Sequence, residues 1–205
     1  MPEFEPRKLP RQERSRATVE AMLEACARLL CEEGYDALTT SHVAERAGVS
    51  VGTLYEFFPN KESIVAALIE QRAARLVTDT AAHLDSALAI TDVEGAADFL
   101  IRSLIALVTS ERELYRVVFH EVPFSSRLPA LQRAIAALFD LARIGGERAV
   151  DRVSLPHLEA DTWLIARMLY QAVLEIAFAE AGAPDAELLT RELVRLSLRM
   201  MRGSD

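Results

Sequence analysis

The stretch of sequence that decides the fold is residues 44–64, AERAGVSVGTLYEFFPNKESI. It begins with the composition of a helix, but Gly48 interrupts the helical pattern. A second short helical pattern begins at Ser50 or Val51, carries three aromatic residues, and ends at Pro59-Asn60. Two short helices joined by a glycine-containing turn are typical of a helix-turn-helix unit, whose second helix enters the major groove of DNA.

A longer helical pattern precedes this stretch and supplies a third helix. From about Ser15, apolar residues recur at intervals of three and four, and Gly34 marks the expected end of this helix. Thr39 and Thr40 are candidates for the N-cap of the first short helix. Leu54 and Phe58 lie four residues apart, so both would anchor the second short helix to a small core.

The rest of the chain has the pattern of a helical bundle. A long helix is predicted from Lys61, because no Gly or Pro occurs between residues 60 and 94. Five further helical segments follow, at about 94–109, 111–121, 127–150, 158–181 and 185–202. Ala, Leu, Glu and Arg dominate the composition, which favours helix over sheet. The predicted fold class is therefore all-α, with about nine helices.

Three regions are expected along the chain. Residues 1–13 carry three prolines and no apolar period, which predicts a flexible arm. Residues 14–75 would form the helix-turn-helix DNA-binding domain, with the motif itself at about 38–58. Residues 76–205 would form a larger helical bundle.

The charge of the whole chain argues weakly against a nucleic-acid partner, because the formal net charge is −8. The charges are segregated, however. Residues 7–16 contain five cations and one anion, whereas the chain from Glu62 onward contains 15 cations and 21 anions. Positive charge is thus concentrated at the N-terminus.

Several other classes of protein are disfavoured. Apolar runs fall short of the roughly 18 residues that a membrane span needs, and no signal peptide opens the chain. Cys26 and Cys31, five residues apart on one predicted helix, do not make a disulfide framework. We therefore expect a soluble, cytoplasmic protein without a membrane partner.

No pattern of catalytic or metal-binding residues is visible. The four histidines are scattered, and there is no His-Glu-x-x-His, no paired Cys-x-x-Cys and no Gly-rich phosphate loop. We expect no enzymatic activity, no metal and no cofactor. The alternative is a helical small-molecule-binding protein or enzyme without DNA binding, which the acidic balance and Phe57 would support.

The residues of the opening stretch suit contact with DNA. Gly48 allows a positive φ at the turn. Val51 and Gly52 are small, which would let the second helix approach the groove closely. Thr53 and Tyr55 offer hydroxyl groups, and Lys61 lies at a helix N-terminus, which favours anions.

The segments GYDALTT (34–40) and VAERAGVSVGTLYEFFPNKESI (43–64) strongly resemble the N-terminal domain of TetR-family transcriptional regulators. The resemblance spans about residues 14–75. Beyond them, only length and helical pattern match. It implies a DNA-binding dimer with a C-terminal effector-binding and dimerisation bundle.

The resemblance also assigns individual roles. Phosphate contacts fall on Thr40, Tyr55 and Lys61, base contacts on Val51, Gly52 and Thr53, and Ser41 occupies a position where relatives carry a longer base-reading side chain. Phe57 departs from the usual His or Tyr, so only apolar contact with a sugar or a thymine methyl is expected of it. Arg14, with Arg11 and Arg16, either reaches the DNA backbone or minor groove or belongs to a solvated tail.

The last two predicted helices suit a dimer interface. Segment 158–181 is apolar on nearly every face, and the last helix carries an apolar stripe opposite a stripe of arginines. They could pair with each other and with a second copy in a four-helix bundle, as TetR relatives do. The predicted interface residues are Leu164, Met168, Leu189, Leu193, Leu196 and Met200.

Candidate effector contacts lie in the same half of the chain. They are Tyr115, Phe119, His120, Trp163, Arg167 and Tyr170, although core packing remains an alternative for the aromatic residues. Arg167, Gln171 and Glu175, at four-residue steps, either form an ion pair or line an effector cavity. The expected function is a repressor released from a palindromic operator by a small, lipophilic or aromatic effector, which favours another spacing of the two recognition helices.

Overall fold

The structure is a computed structural model that describes Phe4, Pro6, Arg7 and residues 12–180 and 182–202. Within these residues the chain forms nine α-helices and no β-strand, which confirms the predicted all-α class. The helices are α1 Glu13–Ala37, α2 Thr40–Arg46, α3 Val51–Phe57, α4 Lys61–Ala89, α5 Val93–Ser110, α6 Arg112–His120, α7 Pro129–Arg148, α8 Leu158–Ala177 and α9 Ala186–Arg202. None of the described helices has the length and apolar character required to cross a membrane.

The ends of the first four helices follow local sequence signals. Gly34 has φ 77° and interrupts the helical geometry of α1, which continues for one further turn. The hydroxyl of Thr39 accepts a hydrogen bond from the N–H of His42, and Ser50 accepts one from Thr53. The side chain of Asn60 likewise accepts from the N–H of Ser63. Each side chain satisfies a donor that the first turn of a helix leaves free.

The chain divides into two compact units. The N-terminal unit contains the described residues up to Ala74 together with Glu113–Gln132. The C-terminal unit contains Arg75–Arg112 and the described residues from Arg133 onward. Helix α4 contributes residues to both units.

The core of the N-terminal unit joins α1, α2, α3 and the start of α4. Met22, Val43, Leu54, Phe58 and Leu68 are all fully buried. The same core takes in side chains from the distant segment 113–132, namely Leu114, Val117, Val118, Val122, Phe124 and Leu128. These apolar contacts hold α3 against the unit although it is only seven residues long.

Neither cysteine forms a disulfide bond within the described residues, and the two have different surroundings. Cys26 belongs to the core of the N-terminal unit, and burial raises the pKa of its thiol to about 12. Cys31 is exposed. Cys26 is therefore a protonated, apolar core residue, as its position in the helical pattern suggests.

The C-terminal unit is organised around α5, α8 and α9. Its buried core includes Ile101 of α5, Ile176 of α8 and Leu198 of α9. On the surface, Arg102 of α5 bonds to Asp98 at 2.9 Å and reaches Glu187 of α9 at 2.7 Å. These contacts fix α9 along α5.

Two glycines let α7 approach its neighbours closely. A Cβ atom added to Gly145 would lie 3.0 Å from the side chain of Leu84 on α4. A Cβ atom added to Gly146 would collide with Cγ2 of Thr162 on α8. At these two positions, the absence of a side chain sets the distance between the helices.

We predict that Gly146→Ala lowers the free energy of unfolding by about 1–3 kcal/mol, because the added methyl overpacks the α7–α8 contact. Urea unfolding followed by circular dichroism would measure it. Gly52→Ala, on an exposed helical position, is the control and should not destabilise. An unchanged midpoint for Gly146→Ala would contradict the close approach of α7 and α8.

Candidate nucleic-acid interface

The turn between α2 and α3 is built around Gly48, whose φ is 69°. The N–H of Gly48 donates to the carbonyl of Glu45 and the N–H of Val49 donates to the carbonyl of Ala44, both at 3.0 Å. This pair of bonds is the Schellman arrangement that ends a helix through one left-handed residue. The positive φ predicted for Gly48 is confirmed.

The outward face of α3 is small and exposed. Val51 and Gly52 are exposed, and Thr53 is half-buried with its hydroxyl 2.8 Å from that of Ser50. Leu54, on the inward face, is fully buried. Ser41 is exposed on α2. These four small residues therefore remain accessible, and none of them is needed in the core.

Two predicted phosphate contacts lie together. The hydroxyl of Thr40, at the first residue of α2, is 3.1 Å from the hydroxyl of Tyr55 on α3. Tyr55 is exposed and Thr40 is half-buried. Because one hydroxyl donates to the other, the pair still has one hydrogen free to donate to an external acceptor.

Lys61 is held at the N-terminus of α4. Its Nζ atom donates to the carbonyl of Tyr35 at 3.2 Å and lies 4.4 Å from the centre of the Tyr35 ring. The Tyr35 hydroxyl donates to Glu62 at 3.3 Å, and burial, followed by the nearby carboxylate, raises its pKa to about 12. One ammonium hydrogen is committed to Tyr35, which leaves two for an anion.

Phe57 requires a correction. Its side chain is only 5% exposed and belongs to the core of the N-terminal unit. Phe57 lies three residues after Leu54, so both project from the same, inward face of α3. The expected contact of Phe57 with a sugar or a thymine methyl is therefore withdrawn. Phe58, expected in the core, is fully buried.

Arg7 makes a contact that the sequence did not indicate. Its backbone N–H donates to the carbonyl of Phe57 at 2.7 Å, and its guanidinium donates to the carbonyl of Tyr55 at 3.3 Å. Both carbonyls lie in the last turn of α3, where helix carbonyls lack partners within the helix. A cation is also favoured at this end of a helix.

The other cations near the motif are arranged differently. Arg14 and Arg16 are exposed on the first turns of α1, whereas Arg11 lies outside the described residues. Arg46 binds both carboxylate oxygens of Glu32, at 3.0 and 2.9 Å. That hydrogen bond is the main cause of the lowered pKa of Glu32 and the raised pKa of Arg46. The guanidinium of Arg46 thus joins α2 to α1 through Glu32.

Residues 22–68 match the family described as bacterial regulatory proteins, tetR family. The match covers α1 from residue 22, α2, the turn, α3 and the start of α4. This part of the chain belongs to the TetR family.

Comparisons over a longer part of the chain agree with this assignment. The transcriptional repressor KstR of Mycobacterium tuberculosis is 26% identical over 148 residues, which span 70% of this chain and 66% of KstR, just under two thirds. A TetR-family regulator from Mesorhizobium loti has a TM-score of 0.73 at 19% identity, with 91% of this chain and 96% of that chain covered. FadR from Bacillus subtilis, solved in complex with stearoyl-CoA, has a TM-score of 0.67 at 15% identity, with 89% and 99% covered. The two solved structures show the shared fold.

The matched family is one of bacterial regulatory proteins, and KstR is a transcriptional repressor. Among the described residues, no group of three or more His, Cys, Asp or Glu side chains lies together as a potential metal site.

The candidate effector residues fall into two groups. Tyr115, Phe119 and His120 lie on α6 in the N-terminal unit, whereas Trp163, Arg167 and Tyr170 lie on α8 in the C-terminal unit. Arg167 stacks 4.5 Å from the ring of Phe139 and 4.9 Å from that of Trp163. Gln171 bonds to Glu175 at 2.8 Å. Arg167 is thus stabilised by aromatic faces.

A cavity of about 160 Å³ lies elsewhere in the C-terminal unit, between α4, α5, α7, α8 and the end of α9. Its apolar wall includes Leu84, Leu88, Leu100, Ile165, Leu169 and Met201. None of the six candidate effector residues lines it. Periodicity located the apolar faces of these helices, but it gave no indication of where the packing leaves a space.

The polar groups of the cavity wall are already paired. The guanidinium of Arg152 donates to the carbonyls of Leu88 at 3.1 Å and Thr91 at 2.9 Å, and also to that of Ile90. The hydroxyl of Thr162 donates to the carbonyl of Leu158 at 2.6 Å. The cavity wall therefore presents mainly apolar atoms, and Arg152 caps the C-terminal end of α4.

Some of the candidate dimer residues are exposed, whereas others pack in the core of the C-terminal unit. Leu164, Leu196 and Met200 are exposed. Leu193 is only 6% exposed and lies in the core of the C-terminal unit, so it is withdrawn as an interface residue. Met168 and Leu189 are half-buried against the same core.

We predict that Gly48→Ala lowers the free energy of unfolding by about 1–2 kcal/mol, because alanine disfavours the left-handed conformation. An added Cβ would meet no atom within 4 Å, so the backbone alone causes the loss. Gly52→Ala is the matched control, and it should stabilise by about 0.5–1 kcal/mol because Gly52 is helical and exposed. Equal urea midpoints for the two variants would contradict this account of the turn.

Proposed function

We propose that this chain is a dimeric DNA-binding transcriptional repressor, released from a palindromic operator by a small, lipophilic effector. The observation that carries the proposal is the exposed face of α3, where small side chains are flanked by hydroxyl and ammonium donors. Such a face suits the major groove, because small residues permit close approach and the donors meet phosphate oxygens.

In the proposed complex α3 is the recognition helix. Val51, Gly52 and Thr53 face the base edges, and Ser41 lies beside them at the start of α2. The Thr40–Tyr55 hydroxyl pair donates its one free hydrogen to one phosphate, and Lys61 donates to another. Arg14 contacts the DNA backbone from the first turn of α1. The overall negative charge of the chain does not prevent binding, because positive charge is concentrated in residues 7–16, of which Arg7 contacts the last turn of α3.

The exposed apolar residues of the last two helices support a dimer. Trp163 and Leu164 of α8 and Leu188, Leu196 and Met200 of α9 are large and exposed. Solvent exposure of several such side chains on two neighbouring helices marks an interaction surface. In a two-fold dimer the same surface serves both subunits, and two recognition helices then match the two halves of a palindrome.

The cavity of the C-terminal unit supports a lipophilic effector. Its volume of about 160 Å³ is comparable to that of an engineered protein cavity that binds benzene. FadR from Bacillus subtilis was solved with stearoyl-CoA, and a related structure is a fatty acid degradation regulator from Bacillus halodurans. We therefore propose an effector with an acyl or similar apolar group.

Release requires the effector to prefer one of two conformations. Leu84 and Leu88 belong to α4 and line the cavity, and Arg152 fastens the C-terminal end of α4. An effector that changes the packing of these residues changes the position of α4. The same helix begins at Lys61, so its displacement alters the spacing of the two recognition helices.

We predict that Lys61→Ala and Tyr55→Phe each weaken binding to the intergenic DNA beside the gene by about tenfold, because each removes a phosphate contact. Fluorescence anisotropy at several salt concentrations would measure the affinity. For Lys61→Ala, the slope of log K against log salt should fall by about one. Arg28→Ala, which removes an exposed cation elsewhere on α1, is the charge-matched control.

Gly52→Ala extends this test. The variant should remain folded and yet bind the operator less tightly, because its methyl group occupies the space in which a base edge approaches. If the wild-type protein binds neither this DNA nor any sequence from a random selection at low salt, the alternative holds: a helical binding protein or enzyme without DNA binding.

We predict that Leu164→Glu raises the dimer dissociation constant at least about tenfold, because it places an unpaired charge in the interface. Val150→Glu is a matched control outside α8 and α9, since Val150 is 54% exposed and Leu164 is 52% exposed. Analytical ultracentrifugation would give both constants. A Leu164→Glu dimer as tight as the wild type would contradict the proposed interface.

A further inference from the structure

Two polar atoms of α4 are buried without a partner in the C-terminal unit. They are Oγ1 of Thr80 and Nδ1 of His83, and neither makes a hydrogen bond to any residue that the structure describes. The side chain of Thr80 is well enclosed, since the residue is only 8% exposed. Buried polar groups are nearly always paired, because an unpaired one loses its hydration without compensation.

The two groups lie on one face of the helix. Thr80 and His83 are three residues apart, which places them on adjacent turns of α4. The imidazole of His83 lies 6.0 Å from the ring of Phe99 on α5, measured between ring centres. The ring contact gives the imidazole a neighbour on α5 but leaves its Nδ1 atom unpaired.

This polar pair is next to the apolar cavity along α4. Leu84 follows Thr80 by four residues and Ala87 follows His83 by four, and both Leu84 and Ala87 line the cavity. The same helical stripe is thus polar at Thr80 and His83 and apolar one turn later. This arrangement suits a ligand that has a polar group at one end, next to Thr80 and His83, and a hydrocarbon part next to Leu84 and Ala87.

The chemistry of the pair indicates the head group. A threonine hydroxyl donates one hydrogen bond, and Nδ1 of histidine donates when it carries a proton. Two donors on one face suit an oxygen that accepts two bonds, as a carboxylate or carbonyl oxygen does. By contrast, the polar atoms of the cavity wall itself, in Arg152 and Thr162, are bonded to backbone carbonyls.

We infer that Thr80 and His83 bind the acyl oxygen of the effector, whose hydrocarbon part occupies the neighbouring cavity. This inference rests on the proposed function and narrows it to acyl compounds. A free carboxylic acid and an acyl thioester share the same carbonyl chemistry, and binding measurements separate them.

The test uses three variants of the full-length protein. Thr80→Val keeps the shape of the side chain and removes the hydroxyl, and His83→Phe keeps a ring against Phe99 and removes the nitrogen. Thr190→Val is the control, because Thr190 is equally buried at 5% exposure but its hydroxyl already bonds to the carbonyl of Ala186 at 2.7 Å.

Isothermal titration calorimetry would be done without DNA, with heptanoic acid, heptanoyl-CoA and benzene as probes. We expect Thr80→Val and His83→Phe to weaken binding of the acid or the thioester by about tenfold or more, and Thr190→Val to change it less than about twofold. Binding of benzene should be the same in all four proteins, because benzene has no oxygen and needs only the cavity.

The unliganded protein provides a second measurement. Thr80→Val should raise the melting temperature by about 2–4 °C, because it removes a buried hydroxyl that has no partner. Thr190→Val should lower it, because it breaks a hydrogen bond. A role of Thr80 in packing alone would leave probe binding unaltered.

Three results would overturn the inference. The first is that the wild type binds neither acyl probe, and the second is that the wild type and both variants bind the acyl probes with equal affinity. The third is a melting temperature that Thr80→Val lowers as much as Thr190→Val does. The proposed function is tested separately by operator binding of the wild type without effector. If the protein binds its operator but neither variant changes acyl binding, the proposed function stands and the acyl site at Thr80 and His83 is ruled out.

Discussion

The left-handed backbone of Gly48 is the constraint on which the recognition surface depends. With φ at 69°, the chain ends α2, makes the two bonds of a Schellman turn, and begins α3 at Val51 after the Ser50 cap. The direction of α3 follows from this turn, and its inward face then buries Leu54 in the core. Because the burial of Leu54 and the turn hold α3 in place, its outward side chains are not needed to position the helix.

Local features of the N-terminal unit could be predicted from the sequence because each depends on neighbours along the chain. The caps at Thr39 and Ser50, the positive φ of Gly48 and the burial of Phe58 all follow from spacing within one or two turns. The burial of the Phe57 side chain was harder to predict. Family resemblance placed it on the DNA face, whereas its position three residues after Leu54 places it in the core.

Features that depend on contacts between distant segments could not be predicted. Nothing in the pattern of residues 113–132 indicated that Phe124 would pack edge-on against Tyr35, or that Glu121 would accept a hydrogen bond from the N–H of Tyr35. The contacts of Arg7 with the last turn of α3 are similar in kind. A cavity is the extreme case, since it is the space left after several helices have packed.

The proposed coupling between effector binding and DNA release depends on the way α4 ends. Its terminal carbonyls lack partners within the helix, and Arg152, in the cavity wall, donates to one of them, that of Leu88, and to that of Thr91 just beyond the helix. An effector can move α4 only if its contacts differ between two positions of that helix. In the proposed mechanism, ligand atoms that contact Leu84, Leu88 or Arg152 would meet this requirement, because the two leucines belong to α4 and Arg152 is hydrogen-bonded to its last turn. A ligand bound only to the exposed face of α8 would bind equally well in both positions and would release nothing.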